Sequence, residues 1–324
     1  MSAREDAWRR TYRLRFPYAE PGRRPSAHPA CEVEVRSFAP EMDPWITRLF
    51  SPFLCGIASG AASPPGSGDG EGAAFQLARD ARARGGGPPG RLRLKRPGQR
   101  STSASRPAEM AAYLECSVFE HVAWSLKGYF QFHAAFVAKG GRGVLIPGRT
   151  GIGKTTLTLL LWRAGWTVFA DDLSLLDPVS GRFFPLPRPF HLLKETLALL
   201  RPPASGRALR VGPPDLDEPS AYFHPSWLPG AEAEALPKPV GARWVIFPRR
   251  AAGGKGKKPA LRPLRPSEAM RRIVPHAFGL QDYGVRGLEI LSDLVSRTEP
   301  FELRMGSPED TCRLADEAFE GTGP

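Results

Sequence analysis

The chain has 324 residues, of which 41% are hydrophobic and 24% charged, a balance typical of a soluble globular protein with one large or two ordinary domains. Its net charge of +12 comes largely from two Gly- and Pro-interrupted segments, 79–106 and 249–272, for which we predict solvated loops and no specific nucleic-acid site. Because no run of 18 apolar residues occurs and the four cysteines are scattered, we expect no membrane span, no disulfide framework, no zinc site and a cytoplasmic location.

Residues 1–55 are predicted to form a small N-terminal layer. Two short apolar stretches, 11–16 and 31–38, have the length of strands and are separated by turn-forming residues. The next segment, 56–107, is rich in Gly, Ala, Ser, Pro and Arg and shows no apolar periodicity. Such a segment buries too little apolar surface to offset its ordering entropy, so we predict a linker that is mostly disordered. An ordered domain is expected to cover residues 108–324.

This domain is predicted to begin with a helix followed by a pair of strands. Four apolar residues recur at every fourth position and indicate an amphipathic helix that ends before Gly128: Leu114, Val118, Val122 and Leu126. Two apolar runs, 130–138 and 143–147, flank Gly140 and Gly141. This pattern predicts two strands joined by a tight turn.

Helices and strands are predicted to alternate after this pair. Residues 154–164 have the pattern of a helix that ends at Gly165, and 166–170 that of a short buried strand. Residues 173–176 and 182–185 are predicted to pair as a hairpin. Further predicted elements are a strand at 242–248 and helices within 266–299 and 308–320. The alternation is typical of an α/β fold.

Eight residues that follow the second strand and open the next helix match the phosphate-binding pattern G-x-x-x-x-G-K-[ST]. They are Gly148, Arg149, Thr150, Gly151, Ile152, Gly153, Lys154 and Thr155, with Thr156 beside them in the helix. The glycines allow successive backbone N–H groups to face phosphate oxygens, and the helix N-terminus favours negative charge. Lys154 is expected to reach the outer phosphates, and the Thr155 hydroxyl to ligate Mg²⁺. The motif predicts a nucleotide site, with ATP as the default because the guanine-reading motif N-K-x-D is absent from the sequence.

An acidic pair, Asp171 and Asp172, follows the next apolar strand. In phosphoryl transfer, carboxylates at the end of such a strand orient the metal ion and the acceptor. The alternative explanation is a solvated turn, and the neighbouring P-loop favours the functional one.

The segment GVLIPGRTGIGKTTLTLLLWRAGWTVFADDLSLL resembles the core of the HPr kinase/phosphorylase family, and especially its bacterial HPr-kinase-related kinases. The shared pattern is a histidine before the P-loop strand, the loop itself, a helix ending in R-x-G-[HW], and a strand ending in two acids. In this chain the elements are His133, residues 148–155, residues 163–166, and the pair Asp171 and Asp172. The resemblance is clear over residues 129–195. It implies a P-loop kinase core of the HPr kinase/phosphoenolpyruvate carboxykinase type.

The resemblance also implies an activity, namely phosphorylation of a serine or threonine hydroxyl of a protein or peptide by ATP with Mg²⁺. It implies that Asp171 is the base toward the acceptor hydroxyl and that Asp172 supports the metal ion. Lys154 and His133 would lie near the transferred phosphate. The acceptor itself is unidentified.

The sequence departs from the family pattern at two places. Thr150 stands where the family usually has Ser, which keeps a hydroxyl. The family's second-metal glutamate would be Glu195, but Thr196 and Leu197 follow it in place of the family's Arg-Gly. The second metal, HPr as the substrate and any phosphorolysis therefore stay open.

Two other functions also stay open. The chain could be a nucleotide-dependent switch that phosphorylates no acceptor. It could alternatively be a kinase for a small metabolite, because the core also resembles that of phosphoenolpyruvate carboxykinases. HPr kinases assemble into rings, and the sequence leaves a homo-oligomer open as well.

Overall fold

A computed structural model describes residues 10–16, 31–59, 73–79, 90–126, 128–200, 204–210, 220–228, 236–250 and 258–320. The chain divides into two compact units, and each unit is discontinuous in sequence. The first unit comprises Met1–Lys127 and His191–Ala233, and the second comprises Gly128–Phe190 and Glu234–Pro324. The predicted boundaries at residues 55 and 107 do not coincide with this division.

The elements are numbered in chain order. The strands are β1 (Arg10–Phe16), β2 (Cys31–Ser37), β3 (Leu54–Ser59), β4 (Ala73–Arg79), β5 (Leu92–Lys95), β6 (Thr102–Ala104), β7 (Phe130–Lys139), β8 (Arg142–Pro147), β9 (Thr167–Ala170), β10 (Leu173–Asp177), β11 (Arg182–Phe184), β12 (Phe190–Leu192), β13 (Leu209–Arg210), β14 (Ala221–Phe223), β15 (Val240–Arg250), β16 (Ala260–Pro263), β17 (Ala277–Phe278) and β18 (Glu299–Met305). The helices are α1 (Asp43–Leu49), α2 (Pro107–Ser125), α3 (Lys154–Arg163), α4 (Lys194–Leu197), α5 (Pro266–Ile273), α6 (Leu280–Tyr283), α7 (Val285–Ser296) and α8 (Pro308–Glu320), with short 3-10 turns at Pro40–Met42, Ala204–Arg207, Pro225–Trp227 and Val274–His276.

The first unit is built on a six-stranded sheet with the order β3-β1-β2-β4-β5-β6. Strands β1, β2 and β5 alternate buried residues with more exposed polar ones, as in the RTYRLRF sequence of β1, because one face of the sheet is covered. Helix α2 packs on that face and contributes Phe119 to a group of rings. The ring centroids of Phe16 and Phe53 lie 4.4 Å apart, and that of Phe119 lies about 6 Å from each. Burying rings of this size contributes about 2–3 kcal/mol each.

Part of this sheet lies where we expected a mostly disordered linker. Strands β4, β5 and β6 belong to segment 56–107, so the expectation was wrong for these residues. Strands β4 and β5 have a short alternation that the surrounding Gly and Arg residues hide, as where Phe75 and Leu77 are buried in β4. Residues 60–72 and 80–89 of this segment lie outside the described part of the chain.

The second unit contains a nine-stranded mixed sheet. Its main order is β11-β10-β7-β8-β15-β18-β16, and β9 and β17 also pair with β7. Strands β8, β15 and β18 are parallel to one another, whereas β7 runs antiparallel to β8. The carboxyl ends of the three parallel strands therefore meet at one edge of the sheet. Ligands of α/β sheets commonly bind at such an edge.

Two faces of this sheet are covered by different helices. On one face, the strands pack against α5 and α7 through a core that includes Phe132, Phe136, Phe247, Ile273 and Leu291. On the other face α3 packs against α8 and against β7. The predicted strand pair, the helix after it and the hairpin are confirmed as β7–β8, α3 and β10–β11. The broad class is therefore mixed α/β, as expected.

Two further expectations concern the membrane and the thiols. Within the described ranges, no helix combines the length and the apolar character that crossing a bilayer requires. All four cysteines are free thiols, with Cys31 and Cys312 buried and Cys55 and Cys116 exposed.

Candidate functional site

The glycine-rich loop lies between the end of β8 at Pro147 and the start of α3 at Lys154. Gly151 and Gly153 have φ values of 77° and 109°, a region that side chains rarely adopt. A Cβ atom on Gly153 would also lie 2.9 Å from Cε of Met305, the last residue of β18. The backbone of this loop therefore requires glycine at both positions.

The Lys154 side chain is folded into the loop that precedes it. It is only 5% exposed, and its Nζ donates a hydrogen bond of 2.6 Å to the Gly148 carbonyl. The same Nζ lies 3.2 Å from His133 Nε2 and 3.9 Å from Asp172 Oδ1. Burial lowers the pKa of Lys154, while the carboxylates of Asp172 and Asp171 oppose that shift. The lysine is thus held at the mouth of the loop by groups from β7 and from the acidic pair.

The sheet pairing explains why His133 meets the acidic pair. In β7, Phe130 and Phe132 face the core, so the alternate residue His133 faces the side of α3. The pair lies between β9 and β10, which both pair with β7, and Leu173 is directly opposite His133. His133 Nε2 consequently lies 2.9 Å from Asp172 Oδ1. This hydrogen bond is the main reason that the pKa of Asp172 is lowered.

The Nε2 atom of His133 can serve only one of its two neighbours at a time. When Nε2 carries a proton, it donates to Asp172; when it does not, it accepts from Lys154. The presence or absence of a proton on Nε2 therefore determines whether the histidine forms its hydrogen bond with Asp172 or with Lys154.

Asp171 is held by the residue that the motif assigns to the metal ion. The Thr155 hydroxyl donates a hydrogen bond of 2.8 Å to Asp171 Oδ2. The other carboxylate oxygen, Oδ1, is buried and has no hydrogen-bond partner among the described residues. Burial is the main cause that raises the pKa of Asp171 to about 6, and the Thr155 hydrogen bond opposes it. A buried carboxylate with one unused oxygen and a raised pKa marks a candidate for proton transfer.

The raised pKa of Asp171 leads to a prediction about stability. The folded state binds the Asp171 proton more tightly than the unfolded state, in which the pKa is about 3.9. Ionisation of Asp171 therefore lowers the free energy of unfolding of the wild type as pH rises from about 4 to about 6, and the full loss is reached above that range. We expect Asp171→Asn to be more stable than the wild type by about 2–3 kcal/mol at pH 8 and by almost nothing at pH 4.

Urea unfolding at both pH values in buffer with EDTA measures this difference. Asp293→Asn is the control, because Asp293 lies on the surface of α7 with its side chain 64% exposed. A stability gain for Asp171→Asn that is equal at pH 4 and pH 8 contradicts the prediction.

Two residues beside His133 were missed in the sequence. The Phe278 ring is stacked on the His133 ring at a centroid distance of 5.9 Å, and the His276 ring lies 6.1 Å away, edge to face. The pKa of His276 is lowered to about 4, chiefly by burial and also by the positive charges of His133, Lys154 and Arg149. Phe278 lies in the two-residue strand β17, and His276 ends the 3-10 turn just before it. Both lie in a region predicted to be helical, so no periodicity signals them.

The remaining motif residues differ in exposure. Arg149 and Thr150 are exposed, whereas Ile152 and Thr156 are half-buried. Glu195, the predicted second-metal residue, is exposed in the first turn of α4, and α4 belongs to the first unit. Its role stays a prediction. No cluster of three or more His, Cys, Asp or Glu side chains suited to a metal ion occurs among the residues that the structure describes.

The comparisons with known proteins assign no relative. No family model matches the chain, and no curated protein matches it. The functional argument consequently depends on the chemistry of the loop, the lysine, the histidine and the two acids.

Proposed function

We propose that the protein is a kinase that uses ATP and Mg²⁺ to phosphorylate a serine or threonine hydroxyl of a protein or peptide, on a P-loop kinase core. One observation carries the proposal: Lys154, His133, Asp172 and the pair Thr155–Asp171 converge directly behind a glycine loop at the carboxyl edge of a sheet. The likeness of residues 129–195 to HPr-kinase-related kinases supports the choice of a hydroxyl acceptor.

The residues present fit a magnesium ion bound together with phosphates. The Thr155 hydroxyl donates its hydrogen bond to Asp171, which leaves the lone pairs of the hydroxyl oxygen available as a ligand. Mg²⁺ usually takes only one or two protein ligands and completes its shell with phosphates and water. Asp172, whose side chain is 58% exposed, is the second candidate. Such an ion would neutralise part of the phosphate charge during transfer.

Each side chain has a role in this proposal. Lys154 and the backbone N–H groups of the loop stabilise the negative charge on the transferred phosphoryl group. Asp171 takes the proton of the acceptor hydroxyl while the acceptor oxygen bonds to phosphorus and the bond to ADP breaks. His133 holds Asp172 in place by donating a hydrogen bond from Nε2, and the same atom accepts a hydrogen bond from Lys154 when it carries no proton.

Phosphate transfer from γ-labelled ATP with Mg²⁺ tests the proposal. The purified protein is incubated with lysate from the native host, and labelled proteins, peptides and small molecules are resolved separately. We expect a labelled protein or peptide that is absent when the kinase carries Asp171→Asn. Asp293→Asn is the matched control and should label the acceptor as the wild type does.

Two outcomes contradict the proposal in different ways. A labelled small molecule without labelled protein identifies a metabolite kinase. Free phosphate without any labelled acceptor, from a protein that binds ATP, identifies a nucleotide-dependent switch.

A further inference from the structure

Arg250, the last residue of β15, contacts the glycine-rich loop from the side that the site described above does not use. Its Nη2 donates a hydrogen bond of 2.6 Å to the Gly151 carbonyl. Gly151 is the only hydrogen-bond or ion-pair partner of this guanidinium among the described residues. A guanidinium has five N–H donors, and this exposed side chain uses one of them on a partner within the described residues.

The sheet order places Arg250 opposite the other charged groups of the site. Strand β8, which carries the loop, lies between β7 and β15. Lys154 meets His133 on the β7 side, and Arg250 approaches from the β15 side. A chain of phosphates held by the loop would therefore have one cation on each flank.

The two neighbouring arginines at the end of β15 point to opposite faces of the sheet. Pro248 lies beside the loop, because a Cβ atom on Gly148 would be 3.6 Å from Pro248 Cγ. Side chains alternate along a strand, so Arg250 shares the face of Pro248 and Arg249 does not. Arg249 instead forms an ion pair of 3.4 Å with Glu302. The pair thus offers a matched control of equal charge.

We propose that Arg250 binds the phosphate groups of the nucleotide and closes the phosphate site on the β15 side. The proposal rests on the proposed function, since it requires a nucleotide in the loop. Guanidinium groups match phosphate oxygens with two parallel hydrogen bonds, and these bonds are stronger than neutral ones. The bond to Gly151 already orients the guanidinium, which reduces the entropy lost on binding.

Equilibrium titrations with Mg²⁺ complexes of ATP, ADP and inorganic pyrophosphate test the role of Arg250. We expect Arg250→Ala to weaken all three ligands by a similar factor, about 10- to 100-fold, because they share two adjacent phosphates. Arg249→Ala should change each affinity by no more than about twofold to threefold.

Two further variants separate phosphate binding from support of the loop. Arg250→Gln keeps a donor for the Gly151 carbonyl but loses the charge, and we expect it to bind as weakly as Arg250→Ala. Arg250→Lys keeps the charge and should bind with intermediate affinity. Normal affinity in Arg250→Gln would show that the residue only anchors the loop, and would overturn the proposal.

Other results also overturn it. Equal losses in Arg249→Ala and Arg250→Ala would mean a general effect of positive charge. Weaker ATP binding with unchanged pyrophosphate binding would place the contact away from the phosphates. If the wild type binds none of the three ligands, or if Lys154→Met binds them as tightly as the wild type does, the loop does not hold phosphates. The proposed function then fails, and this result does not depend on the Arg250 variants.

Discussion

Lys154→Ala is expected to lower phosphate transfer by about a thousand-fold and to weaken binding of Mg²⁺–ATP by about 10- to 100-fold. The side chain is 5% exposed and carries its charge to the mouth of the loop, 2.6 Å from the Gly148 carbonyl. Charge that grows on the transferred phosphoryl group interacts strongly with a cation in such a desolvated position. Transfer should therefore fall more than affinity. Titration of Mg²⁺–ATP and initial rates of transfer measure the two effects.

Two other variants make this result interpretable. Lys154→Met keeps most of the apolar stem, so it separates loss of charge from loss of packing. Lys139→Ala removes a lysine at the opposite end of β7, where Nζ lies 3.2 Å from Asp316 and 3.0 Å from Glu320. We expect Lys139→Ala to keep nucleotide affinity and transfer. If Lys154→Met transfers phosphate at a rate within about tenfold of the wild type, the P-loop lysine has no role in the chemistry.

The local features of the site could be predicted from the sequence because they depend on short patterns. The strand β8, the turn of glycines and helix α3 follow one another within 22 residues, and the structure has them within one residue of the predicted limits. The acidic pair also follows from a local pattern, because it ends the strand β9. The hydrogen bond between Asp171 and Thr155 requires only that β9 pairs with β7.

Other parts could not be predicted because they depend on pairing between distant segments. Helix α2 was assigned to the same domain as the P-loop because it precedes β7 in the chain. Its amphipathic pattern says that one face is buried but not which sheet covers it, and the helix belongs to the first unit. Phe278 reaches His133 from 145 positions along the chain through a two-residue strand. The sequence gives no signal that Arg250 contacts the glycine-rich loop, because this residue belongs to a basic run predicted to be a solvated loop.

Asp171→Asn is expected to lower phosphate transfer by about 10³- to 10⁴-fold and to leave the affinity for Mg²⁺–ATP within about threefold. The change keeps the size of the side chain and an oxygen that can accept from Thr155, but removes the proton acceptor. The raised pKa makes Asp171 a stronger base than an ordinary carboxylate, and at pH 7 most of it is still ionised. In the wild type, transfer should therefore fall as pH decreases through about 6.

Asp172→Asn is the variant that decides between the two acids. Asp172 is the more exposed and therefore the more accessible to an acceptor, but His133 lowers its pKa and weakens it as a base. We expect Asp172→Asn to reduce the affinity for Mg²⁺–ATP by about tenfold, since it supports the metal ion and Lys154, and to reduce transfer less than Asp171→Asn does. If Asp171→Asn retains transfer while Asp172→Asn loses it with normal affinity, the two carboxylates have exchanged roles, and accessibility outweighs basicity in this site.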